Sequence, residues 1–283
     1  LYLTFVRRAD EWLIASDSDL DDVTLFSGRK LWEFGPIVTR ESEHFLFVSH
    51  PVLESRAREI LAAAERALGV VRARWPLPWS ERLVILAPTT TEELRRILQA
   101  SFDLDVFVGF VYSGVDRSGD WRLAGHRMIL NWPAFSSYPA SVRDQIFEHE
   151  LAHAATREYA GPFTTAFVDE GMADWVASNV RDEQLEAELA AGTFDGELPR
   201  DFEFISGDDA DILGAYEESG TAVEFAIGEF GIDAVARFYL RLGRARLAPG
   251  TPRYHVDRAA RAAFGIGIDA FERRWAEWLE ETR

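Results

Sequence analysis

Residues 147–155 read FEHELAHAA, and within them His149 and His153 stand four apart with Glu150 directly beside the first. On a helix of 3.6 residues per turn, both imidazoles leave the same face one turn apart. Folding alone does not ask for two imidazoles there. A divalent metal does, and His-Glu-x-x-His on a helix is a suggestive spacing for one. The alternatives are surface histidines, or buried ones satisfied by hydrogen bonds. The neighbours favour the metal: Ile146, Phe147, Leu151 and Ala154 fall where a partly buried helix needs apolar side chains.

A catalytic zinc takes three protein ligands and keeps a fourth position for water. The chain has no cysteine, so the third ligand is His, Asp or Glu. VDEGMADW offers Glu170, seventeen positions beyond His153, a separation that two helices joined by a short turn can close. Glu170 and Asp174 are again four apart and share a face. Glu170 can therefore bind metal while Asp174 accepts a hydrogen bond from a ligand imidazole. A solvated helix face is the commonest fate of such acids, but FVDEGMADWV is too apolar for that.

HELAH followed by DEGMADW resembles the gluzincin metallopeptidases, and most closely the peptidase MA-like domains of actinobacterial proteins. The resemblance covers roughly residues 45–283 and is specific at 149–153 and 167–175. It implies a zincin-like fold, a Zn2+ held by His149, His153 and Glu170, and Glu150 as general base. It also implies a tyrosine or histidine donor to the oxyanion from a helix after the third ligand. Tyr216, in DILGAYEESGTAVEF, is the candidate, the alternative being a tyrosine packed against the preceding loop. The spacing to the third ligand is shorter than in thermolysin, so thermolysin's substrate pockets do not carry over. More weakly, FVRRADEWLIASDSDLDDV resembles the last strands of a nuclear-transport-factor-2-like domain. On that resemblance, residues 1–40 are the end of a truncated first domain and 41–283 the peptidase-like domain. It implies an extracytoplasmic, cell-envelope setting with a possible anchor upstream.

The elements that must position these residues read as α+β. LYLTFVRR, EWLIASD, VTLFSG and LWEFGPIV alternate as strands, and HFLFVSH, RLVILAP, DVFVGFVYS and HRMILNW give further strand signals. Pro51 opens a helix over 51–75, and TTTEELRRILQA is a capped helix. From Ala140 the chain is nearly all helical, with a loop at 191–210 and with Asp233 and Asp269 as caps of two late helices. The fold class expected is thus N-terminal strands plus helix, then a helical C-terminal lobe, with the metal-binding helix between them. The resemblance to gluzincins further implies that the HRMILN strand, just before the motif helix, lies at a sheet edge and would hold an extended peptide.

Composition bounds the rest. The 283 residues carry a net charge of −18 with the acids spread throughout, which argues against a nucleic-acid partner. No apolar run reaches the ~20 residues of a membrane span. The start has no signal-peptide layout and lacks Met, which suggests that the true beginning lies upstream. Lys30 is the sole lysine among thirty basic residues. The function expected is zinc-dependent hydrolysis of a peptide or protein substrate. Two rivals are an inactive zinc-containing scaffold module of the cell envelope and an accessory domain. An intact Glu150 counts against the scaffold, since a structural site needs no such carboxylate.

Overall fold

The computed structural model describes residues 2–20, 28–99, 104, 107–116, 122–244 and 250–283. They form two compact units, one of Leu1–Glu65 with Arg82–Arg143, the other of Arg66–Glu81 with Asp144–Arg283.

In the first unit, β1 (Thr4–Arg8) and β2 (Glu11–Ser16) pair antiparallel as a sheet of their own. Phe5 faces Ile14 and Val6 faces Leu13, and all four are exposed, since a lone hairpin has no second layer to bury them. Most of VTLFSG (residues 23–27) lies outside the described residues. LWEFGPIV is not a strand. Leu31–Glu33 form a 3-10 turn whose Glu33 carboxylate accepts from the Lys30 N–H at 2.9 Å, and Pro36, lacking an N–H, delays pairing until β3 (Val38–Glu41). β3 runs on into the charged TRE because it is the outermost strand and one of its edges is solvated.

β4 (Phe45–Ser49) follows, and a 3-10 turn from Pro51 leads into α1 (Ala57–Arg74). Next come β5 (Leu83–Ala87) and α2 (Thr91–Leu98), whose cap Thr90 accepts from the Glu93 N–H. β6 (Gly109–Asp116) and β7 (Arg122–Leu130) complete a five-stranded sheet of order β3-β4-β5-β7-β6, in which β4, β5 and β7 run parallel. Register puts Phe47, Ile85 and Met128 in one fully buried row across the three central strands. On the other face Ile129 packs with Leu94 and Leu104. The HRMILN strand is β7, paired on both sides by β5 and β6, so it is interior and has no free backbone edge for a peptide. Sequence pattern could not show this, because β6 folds back onto β7 and takes the outer place.

A short helix α3 (Trp132–Phe135) precedes α4 (Ala140–Arg157). The second unit then continues with α5 (Ala166–Val176), α6 (Glu183–Ala191), α7 (Asp209–Phe230), α8 (Ile232–Arg244), α9 (Pro252–Phe264) and α10 (Ile268–Thr282). Asp233 and Asp269 sit inside the first turns of α8 and α10 and are not their caps; Gly267 takes the cap position of α10. The helix α9 is additional to the sequence pattern, capped by Thr251 with Pro252 opening it. Trp275, Tyr239, Phe147 and Met172 are among the fully buried core residues of this second unit. Two glycines set the closest packing. A Cβ on Gly171 of α5 would lie 2.2 Å from the Ser219 carbonyl oxygen of α7, and one on Gly243 of α8 would lie 1.6 Å from the Tyr159 carbonyl oxygen. Neither position has room for a side chain.

Candidate metal centre

Helix α4 buries Phe147, Leu151, Ala154 and Ala155 on one side and turns His149 and His153 to the other. After the turn at Gly161, α5 brings Glu170 to the same place. The two Nε2 atoms face each other at 3.1 Å, and Glu170 Oε2 lies 3.4 Å from that of His149 and 3.3 Å from that of His153. Nitrogens and oxygen converging in this way need a cation or protons between them. His149, His153 and Glu170 form a group that could hold a metal ion, and all three are partly buried.

The outward nitrogen of His149 is hydrogen-bonded, while that of His153 has a carboxylate at ion-pair distance and no hydrogen-bond partner. His149 Nδ1 lies 2.9 Å from Asp174 Oδ1, which also accepts from Asn179 Nδ2 at 3.2 Å. His153 Nδ1 lies 3.5 Å from Asp169 Oδ1, which accepts from the Tyr239 hydroxyl at 2.7 Å and from the Thr156 hydroxyl at 3.2 Å. A carboxylate at each Nδ1 favours the tautomer with its N–H outward, leaving both Nε2 lone pairs turned inward. Asp174 was legible from its spacing to Glu170. Asp169, Asn179, Thr156 and Tyr239 were not picked out, although an imidazole at a metal site generally calls for an acceptor behind it.

Charge within this group divides by type. Burial disfavours a charged His149, but hydrogen bonds to Asp174 and Glu170 outweigh it and lift the imidazole to about 10. His153 moves the same way, with Glu170 and Asp169 overcoming burial. Glu170 is held far below the usual carboxylate range, the His153 and His149 charges overriding its burial. A metal ion would bring its positive charge among four acidic side chains, Glu150, Asp169, Glu170 and Asp174. Glu150 behaves differently. Burial pushes it upward and Glu170 adds to the rise, against the histidines. It is buried next to the centre without being one of the three converging donors.

Tyr216 stands about two turns into α7, not in its opening turn, because Asp208 caps the helix earlier than the loop-like sequence implies. Its ring packs T-shaped on Phe204 at 5.2 Å. The phenol is pushed up by burial and then by the charges of Glu170, Asp174 and Glu150, which puts it within electrostatic reach of the centre. Ring packing against the loop and electrostatic coupling to the carboxylates thus coexist in one residue.

The other histidines have contacts of their own and are not members of this group. His44 meets Glu65 at 2.8 Å, His50 meets the Pro36 carbonyl at 2.7 Å, and His126 meets Ser113 at 2.7 Å. His255 stacks on Phe163. No protein-family model matches the chain, and no curated protein matches it either.

Proposed function

We propose that this chain is a zinc-dependent hydrolase of peptide bonds with a zincin-like fold. The observation that carries the reading is the spacing of the three converging donors, 3.1, 3.3 and 3.4 Å. A tetrahedral ion with bonds of about 2.0–2.1 Å keeps its ligand atoms about 3.3 Å apart. Two imidazole nitrogens and one carboxylate select zinc over the hard cations, which prefer oxygen donors throughout. Zinc, when bound, supplies Lewis acidity and makes water ionise near neutral pH.

The chain's own residues supply the rest. Glu150 is close enough to the centre to feel both histidines, and its raised affinity for protons suits a base that takes one from attacking water and passes it to the leaving amine. Asp174 and Asp169 hold the imidazoles. Tyr216, within electrostatic reach of the centre, is our candidate donor to the oxygen on which negative charge develops. The peptide bond as substrate rests on the resemblance of HELAH and DEGMADW to gluzincins, and the same resemblance supports an extracytoplasmic setting.

Elemental analysis after zinc reconstitution should find one zinc per chain, and a peptide-library digest should show cleavage. Glu150→Gln should retain zinc and fold while losing hydrolysis, ~10²–10⁴-fold. A folded sample that takes up no zinc ends the metal reading. A zinc-loaded wild type with no cleavage of any peptide leaves the scaffold reading in its place.

A further inference from the structure

We infer that Tyr239 is a positioning residue of the metal centre, acting through Asp169 to fix the His153 imidazole; the inference rests on the zinc reading above. Tyr239 belongs to α8, which contributes none of the three converging donors, yet its fully buried hydroxyl donates to Asp169 Oδ1 at 2.7 Å. The same oxygen lies 3.5 Å from His153 Nδ1, an ion-pair distance at which no hydrogen bond is yet formed, so a small turn of Asp169 decides whether the ring is held. A hydroxyl donating to a carboxylate is a strong, directional bond, and here it holds the oxygen on the side of the ring nitrogen.

The phenol is itself fixed by packing. Trp75 meets its ring edge-on at 5.8 Å, and one turn further along α8 the Gly243 backbone lies against the Tyr159 carbonyl. Removing the oxygen therefore leaves the ring seated and frees Asp169 to turn. The two imidazoles differ in how they are held. His149 has Asp174, which shares α5 with Glu170 and is steadied by the nearby Asn179, at 2.9 Å. His153 has an acceptor at longer range whose orientation depends on a helix seventy residues away in sequence. The α8 helix thus sets how tightly the second histidine is presented.

The test is a zinc titration against a competing chelator on wild type, Tyr239→Phe, Asp169→Asn and the double variant, with thermal unfolding of each metal-free protein measured alongside. Tyr239→Phe should weaken zinc binding ~10-fold, the lower end of the range for partners of ligand histidines. The double variant should bind no more weakly than Asp169→Asn alone, since both changes cut one chain. Tyr239→Phe combined with Asp174→Asn should instead multiply the losses. Wild-type affinity in Tyr239→Phe, even with a lowered Tm, overturns the inference, as does a double variant whose losses multiply. Should Tyr239→Phe not fold, Asp169→Asn alone decides by the same titration, since wild-type zinc affinity there leaves Tyr239 nothing to act through and overturns the inference. Zinc-free wild type sinks the zinc reading and this inference with it. Failure of the inference alone is visible only against a wild type that binds.

Discussion

Carboxylates gather at two places in the helical unit, and they behave oppositely. At the candidate metal centre Glu170 is held below its ordinary range because two imidazoles face it. Around a cavity of about 400 Å³, Glu218 meets Glu188, Asp195 and Glu203, and burial followed by these like charges lifts it to about 8. Burial acts upward on both residues. The sign of the outcome is set by what shares the space: cations in the first case, acids in the second. Helix α7 serves both regions, carrying Tyr216 toward the centre and Glu218 into the cavity wall. Acid content alone therefore does not mark a metal site, and convergent nitrogen donors do.

The sharpest way to break this contrast is to neutralise one carboxylate in each region. Glu170→Gln should cost more zinc affinity than the roughly 100-fold limit of outer partners, because it removes a charged donor. Calorimetric titration that finds wild-type affinity would show that Glu170 is no ligand. Tyr216→Phe comes next. With a hydroxyl aimed at the developing oxyanion, kcat should fall about 10²-fold with KM nearly unchanged. Full activity in steady-state assays assigns the residue to loop packing on Phe204 alone. Asp174→Ala should weaken zinc about 10–100-fold and leave Glu218 untouched. Unchanged affinity against a chelator removes it from the centre.

The smallest effect belongs to the cavity. Glu218 binds its proton more tightly folded than unfolded, so between the ordinary glutamate range and about pH 8 the native state holds more protons. Stability must therefore decline as pH rises through that window. Glu218→Gln removes the decline and should raise Tm at pH 9 by about 2–4 °C while changing little at pH 4.5. A pH profile of Tm identical to wild type rules out Glu218 as its source.

What could be read from sequence follows the range of the interactions. His149, His153, Glu170 and Asp174 are paired by helical spacing, a local rule, and the structure brings all four together. The partnership of Tyr239 with Asp169 spans seventy residues and depends on how α8 packs, which no local pattern records. The interior place of β7 is likewise a matter of strand order. LWEFGPIV alternates like a strand, yet the Lys30–Glu33 capping turn and Pro36 prevail locally. The early start of α7 is hidden because Gly207 and the run of acids after it read as loop until Asp208 is seen to accept from the Ala210 and Asp211 N–H groups.

Gly171 follows Glu170 directly, and there the backbones of α5 and α7 all but touch. A seam of two main chains with no side chain between them offers no place to hinge. Its amides should exchange with solvent only when the helical unit opens as a whole. The candidate carboxylate donor is then mounted beside a contact of two main chains and not on a loop.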